Sequence, residues 1–174
     1  LLVAPGGMRD GILVRIERET QRHRRHGDGY LAFKINSLVD IPIIQALYRA
    51  SRAGVRIDLQ VRGICCLRPG LKGVSETITV TSVVGRFLEH ARLFYFRNGG
   101  DDELFLGSAD LMPRNLDRRV EILFPIPDPH LKADVVKHIL MTHLGDTVKA
   151  RRLLPDGSYV RLKAEHDHAP LDSQ

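Results

Sequence analysis

The string GRFLEHARLFYF, residues 85–96, sets one histidine, His90, two residues before an arginine, Arg92, at the head of an apolar aromatic run. If that run is a strand, its period of two puts both side chains on one face. An imidazole titrates near neutral pH, so it can serve as acid, base or nucleophile, and a neighbouring cation would hold an anion against it. The ordinary alternative is a histidine satisfied by a backbone carbonyl at a strand start. A second candidate is Arg62 in QVRGICC, where a strand ends and Gly63 follows. A guanidinium there can grip a phosphate with two hydrogen bonds, or it can sit in a solvated ion pair.

Two more groups could join them. GSADLMPRNLDRR, residues 107–119, combines small residues that allow close backbone approach with Ser108, Asn115 and the cations Arg114, Arg118 and Arg119. FKINSLVD places Lys34, Asn36 and Ser37 at a strand-to-helix junction. The amino end of a helix attracts anions, although the same residues could simply cap it. The basic run RHRRH reads as a solvated helix end, and His166 and His168 lack partners at metal-binding spacing.

The elements that must position these residues follow from periodicity. LLVAP (1–5) reads as a buried strand, 8–25 as an amphipathic helix, YLAFKIN (30–36) as a strand and 40–54 as a helix capped by Asp40. VRIDLQVRG (55–63) alternates as a strand should. This alternation predicts an α/β fold with a mixed, mostly parallel sheet flanked by helices, whose carboxyl edge would carry Arg62. Further strands are expected over 76–84, 92–98, 102–108 and 118–126, with one helix over 129–144 and a turn at PDG between two short basic strands. Residues 164–174 read as a polar, disordered tail.

Bulk properties narrow the partners. The chain has 174 residues, enough to bury a core without staples, and its formal charge of +5 favours anionic partners. Adjacent Cys65 and Cys66 read as small apolar residues rather than a metal or redox pair. No stretch is apolar enough to span a membrane, and the start on LLVAP suggests a piece of a longer protein.

A His-x-cation step followed by a Gly–Ser pair and a nearby Asn resembles the half-motif of phospholipase D-like folds, with Arg92 where a lysine is usual and the downstream spacing stretched. A longer likeness covers residues 1–163. KINSLVD, ALYRASRAGVRIDLQVRGICCLRPGLKGVSE, SVVGRFLEHARLFYFRNGGDDELFLGSADLMPRNLDRRVEILFPI and DTVKARRL closely resemble the last, phospholipase D-like domain of type 1 bacterial polyphosphate kinases. The resemblance implies reversible transfer of the ATP γ-phosphate to inorganic polyphosphate, with Mg²⁺ and a phosphohistidine on the preceding domain. It implies that Arg62 and His90 reach the ATP phosphates, His90 as a supporting second histidine. Lys34, Asn36, Arg92, Ser108, Asn115 and Arg119 would wall a polyanion channel, with Arg114 and Arg118 along the same path. The domain alone would be inactive, its Mg²⁺ ligands would lie mainly outside this chain, and the full-length protein would be a cytoplasmic homo-oligomer, with peripheral membrane association left open. Two other readings remain open from the residues. One is a half-motif phosphodiesterase or nuclease acting as a homodimer. The other is a nucleic-acid-binding module stacking bases on Phe94, Tyr95 and Phe96 beside Arg97.

Overall fold

The structure is a computed structural model that describes residues 1–164 and 169–174. Strand β1 (Leu2–Ala4) leads into helix α1 (Met8–His26), which turns Met8, Ile12 and Ile16 inward at helical spacing. It stops where Gly27 takes a left-handed conformation, φ 72°. Strand β2 (Tyr30–Ile35) follows, then helix α2 (Ile41–Arg52), whose Asp40 side chain accepts from the Ile43 amide at 3.2 Å. Pro42 fits the first turn, where no amide donor is needed. Strands β3 (Arg56–Val61), β4 (Ile78–Val83), β5 (Arg92–Phe96), β6 (Glu103–Gly107) and β7 (Glu121–Pro125) come next. Helices α3 (Pro129–Val135) and α4 (Met141–Leu144) then precede β8 (Ala150–Leu153) and β9 (Tyr159–Arg161).

The described strands form one sheet in the order β1-β7-β6-β5-β2-β3-β4-β8-β9. The α/β class and the mixed sheet flanked by helices match the expectation, but the balance of pairings does not. Among the named strands parallel pairing is confined to β2–β3 and β3–β4 and the other strand pairs are antiparallel, with isolated parallel bridges from Leu38 to Cys65 and to Leu111. Strand β1 does not lie beside β2. It pairs antiparallel with β7 at the far edge, because α1 is long enough to deliver the chain to any strand position beneath it. Short turns do the rest: tight connections between β5 and β6 and between β8 and β9 can only return the chain antiparallel.

The expected single helix over 129–144 is interrupted. Residues Val136–Leu140 widen into a π-type turn between α3 and α4. A second such turn, Arg114–Arg118, replaces the start of the strand expected at 118. Residues 164–174, expected as a disordered tail, are described only in part. His166 and His168 lie outside the described residues, whereas Ser173 donates through its amide and hydroxyl to Asp146 at 2.9 and 2.7 Å. The end of the chain therefore packs on the α4–β8 connection.

Alternation along the strands makes two cores. Phe33, Phe94 and Phe96 are fully buried in the core beneath α1 and α2. Tyr95 turns the other way, with Ala32, Leu93 and Leu104, under α3 and the π-type turn. All three aromatics of the LFYF run are buried, so they form no platform for stacking bases.

Candidate phosphate site at the sheet edge

The register places the carboxyl ends of β2, β3 and β4 on the same sheet edge as the amino ends of β5, β7 and β8. At β2 the sheet changes from parallel pairing on one side to antiparallel on the other, so the connection leaving β4 must cross above β3 and β2 to reach β5. Residues 84–91 make that crossing, and His90 is carried on it. His90 thus lies in a loop, two residues short of the strand that its spacing suggested.

Asn36, at the end of β2, lies beneath His90, 2.9 Å from ring Nδ1. The amide is satisfied when Oδ1 faces His90 Nδ1–H and Arg92 Nη2, the latter at 3.2 Å, and Nδ2 donates to the Glu89 carbonyl at 3.2 Å. The opposite orientation would aim an NH₂ group at a guanidinium. This arrangement fixes the proton on Nδ1 and leaves the lone pair on Nε2 of an exposed ring. The sequence-based expectation that His90 and Arg92 share a face finds a different expression. They meet through Asn36 and through Arg92 Nη1, which donates to the His90 carbonyl at 2.6 Å.

Arg92 is not a free cation. Its Nη2 donates to Asp110 Oδ2 at 3.0 Å, while Asp110 Oδ1 accepts from the amides of Asn36 and Ser37 at 2.7 and 3.1 Å. Asp110 is buried and ties the β2–α2 connection to β5. Sequence reasoning passes over it, since an acid among basic residues reads as surface charge. The available signal is its place two residues after Ser108, at a strand end facing cations.

Lys34 is buried under the crossing loop rather than on a channel wall. Its ammonium donates to the Ala91 carbonyl at 3.2 Å and pairs with Glu89 at 3.4 Å. Burial pushes the Lys34 pKa down, and Glu89 opposes part of that fall. Burial pushes Glu89 up, but the Ala91 amide and Lys34 outweigh it and hold the carboxyl below its usual range. On the far side of Glu89, His143 approaches at 3.8 Å, its pKa lowered by burial.

Ser108 and Asn115 are brought together, but by a carboxylate. Both side chains donate to Glu121 at the start of β7, Asn115 at 2.7 Å. Asn115 is buried, and no hydrogen bond among the described residues joins this group to His90. Arg114, Arg118 and Arg119 stand exposed on and after the π-type turn.

Arg62 differs from Arg92. Its backbone is held between Ile35 and Ser82, the amide donating to one and the carbonyl accepting from the other. Its half-buried side chain has no carboxylate partner among the described residues, and its Nε is buried without a hydrogen bond. It opens into a cavity of about 520 Å³ shared with Lys149, Arg151, Tyr159 and Arg161. A guanidinium without a carboxylate partner can hold a phosphoryl group, and an imidazole with one nitrogen fixed by a hydrogen bond can polarise one. No group of three or more His, Cys, Asp or Glu among the described residues could hold a metal, and Glu89 and Asp110 are already engaged. The described residues do not fit a protein-held Mg²⁺ site, and no step below runs through one.

The sheet and its flanking helices are those of a phospholipase D-like fold. The phospholipase D family member Nuc of Salmonella typhimurium superposes with a TM-score of 0.55 at 14% identity, covering 79% of this chain and 88% of its own. The whole chain, residues 1–174, matches the family described as polyphosphate kinase C-terminal domain 2, and it belongs to that family. It is 54% identical over 174 residues to polyphosphate kinase 1 of Chlorobaculum tepidum and 57% identical over 162 residues to the polyphosphate kinase of Prosthecochloris aestuarii. These alignments cover 100% and 93% of this chain, and it spans 24% and 23% of those relatives. The crystal structure of polyphosphate kinase from Porphyromonas gingivalis superposes with a TM-score of 0.93 at 42% identity, over 99% of this chain and 26% of that one. No helix among the described residues is long and apolar enough to cross a membrane.

Proposed function

We propose that this chain is the closing half of a composite site in a longer, cytoplasmic and oligomeric polyphosphate kinase, which moves the ATP γ-phosphate to and from inorganic polyphosphate. The observation that carries this reading is that the loop crossing the carboxyl ends of β2 and β3 holds an exposed His90 on Asn36, while Arg62 at the end of β3 has no carboxylate partner among the described residues. Arg62 grips phosphate oxygens. His90 presents Nε2 to the transferring group, or returns a proton to it when protonated. Arg92, Asn36 and Lys34 hold the His90 loop rather than touch substrate. The nucleophile is a histidine of the preceding domain, phosphorylated as the bond from ADP to the γ-phosphorus breaks. Its phosphoryl group then passes to the terminal oxygen of a polyphosphate chain. Mg²⁺ enters with the nucleotide and supplies charge neutralisation at its phosphates.

In the full-length enzyme, His90→Ala and Arg62→Ala should each lower kcat/KM by about 10²-fold or more, a loss in the range of one transition-state donor. The 174-residue chain given ATP, Mg²⁺ and polyphosphate should show no turnover. Turnover by the chain alone, or hydrolysis of a model phosphodiester that His90→Ala abolishes, would instead support the half-motif phosphodiesterase.

A further inference from the structure

The cavity at Arg62 contains more positive charge than a clamp on one phosphate requires. Strand β4 pairs with β8 and β8 with β9, and the register sets Ser82 opposite Arg151 and Arg151 opposite Arg161. The three side chains therefore form a row across three strands on one face, beginning beside Arg62. Tyr159, two residues before Arg161, shares that face, and Lys149 stands at the foot of β8. Arg151 and Arg161 are like charges directly opposed across an antiparallel pair, an arrangement that weakens a sheet. No acidic residue among the described residues lines the cavity. The other face of the same hairpin is different: there Arg152, which lies opposite Val160, shares a cleft with two threonines, Tyr30 and an Arg56 that is paired with Asp58 at 2.8 Å. The opposed cations are thus confined to the Arg62 face. Of its four cations, only Lys149 meets a carboxylate among the described residues, Asp172 of the folded-back tail, at 2.8 Å, while the Arg161 guanidinium donates to the Val148 carbonyl at 2.8 Å. A multiply charged anion lying along the row would relieve the repulsion, and a chain of phosphates repeats its charges along a line as the cations do.

We propose that Lys149, Arg151 and Arg161 of the β8–β9 hairpin extend the Arg62 site into a binding track for a linear phosphate chain, either the triphosphate of a nucleotide or an inorganic polyphosphate. This rests on the function proposed above and names residues that the sequence patterns did not single out. Asp172 occupies the end of the track at Lys149 and yields to the arriving anion. Tyr159 gives the track an apolar side and excludes water from part of it.

The test uses the full-length enzyme with Arg151→Gln and Arg161→Gln combined, since both side chains are exposed, the hairpin is held by backbone pairing, and glutamine keeps a donor for the Val148 carbonyl that Arg161 bonds. The control is Arg24→Gln with Arg25→Gln, which removes the same charge from the end of α1, at the opposite edge of the sheet. KM is measured separately for ATP and for polyphosphate over a range of salt. The hairpin variant should raise one of these by about tenfold with kcat largely kept. Its log–log salt dependence should be shallower by about two, one for each guanidinium taken away from the phosphates. The substrate whose KM rises identifies the chain that occupies the track. The control should change neither. The proposal is overturned if both KM values stay within about twofold, or if the control shifts them equally, which would leave only net charge. Arg62→Gln separates the two levels. If it cripples the enzyme while the hairpin variant does not, only the track falls. If neither substitution matters, the proposed function falls with it.

Discussion

Replacing Lys34 by Met tests the support beneath His90. Met keeps the length and most of the volume of the side chain, so the second core stays filled, and it removes the ammonium that meets Ala91 and Glu89. Glu89 then keeps the Ala91 amide at 2.9 Å and a neutral His143, but loses its counterion. Removing one partner of a fully buried pair costs about 3–5 kcal/mol. The Glu89 side chain keeps 29% of its exposure while Lys34 keeps 4%. Water therefore recovers part of the loss, and a cost of about 2 kcal/mol is expected. For a chain of this size that is a Tm lower by about 4–8 °C. The double variant Lys34→Met with Glu89→Gln removes both charges and should regain about 1–2 kcal/mol of the loss, a coupling that thermal melts of all four proteins would resolve. Additive losses would refute the claim that this pair anchors the crossing loop. On the role proposed for His90, the same single variant should also lower kcat of the full-length enzyme.

Two other substitutions probe the frame. A Cβ on Gly107 would overlap the Ile122 carbonyl oxygen, a backbone atom that also accepts from the Ser108 amide. Gly107→Ala should therefore cost about 3 kcal/mol or more by forcing β6 from β7, whereas Gly63→Ala, with 3.0 Å to the Asn36 carbonyl, should be milder; chemical denaturation of both compares them. His143 is held below its ordinary value of 6.5 by burial, so as pH falls through that value the unfolded chain takes the proton first and stability declines until the folded ring is itself protonated. His143→Gln should flatten that part of the stability profile, leaving the loss at lower pH where Glu89, ordinarily 4.5 and held lower in the fold, takes up its proton.

The strands and helices were legible because their causes are local. Asp40 with Pro42 marks the start of α2, Gly27 marks the end of α1, and LFYF alternates between two cores. Strand order was not legible in the same way. A strand–helix–strand alternation says which elements exist, while α1 can reach either the neighbour of β2 or the far edge, and it reaches the far edge. The break at Val136–Leu140 was hidden because the apolar spacing of a helix persists through one widened turn, and the turn at Arg114–Arg118 because its polar, basic string reads as a loop.

The candidate site was legible in its cations and illegible in its carboxylates. From sequence, Arg62, Arg92 and Lys34 are equivalent: a cation near a strand end, with small or polar neighbours. Fold-distant acids make them unlike. Asp110, from the β6–β7 connection, claims Arg92. Glu89 claims Lys34 from above, and Glu121 takes the Ser108 and Asn115 groups that the half-motif would have offered to phosphate. Gly107 shows the same ambiguity, since its missing Cβ makes room for the Ile122 carbonyl rather than a ligand. Arg62 stays available because no such acid reaches it among the described residues, and the same holds for Arg151 and Arg161 beside it. A phosphate-binding cation in this fold is therefore defined less by the string around it than by the carboxylate that the topology keeps away from it.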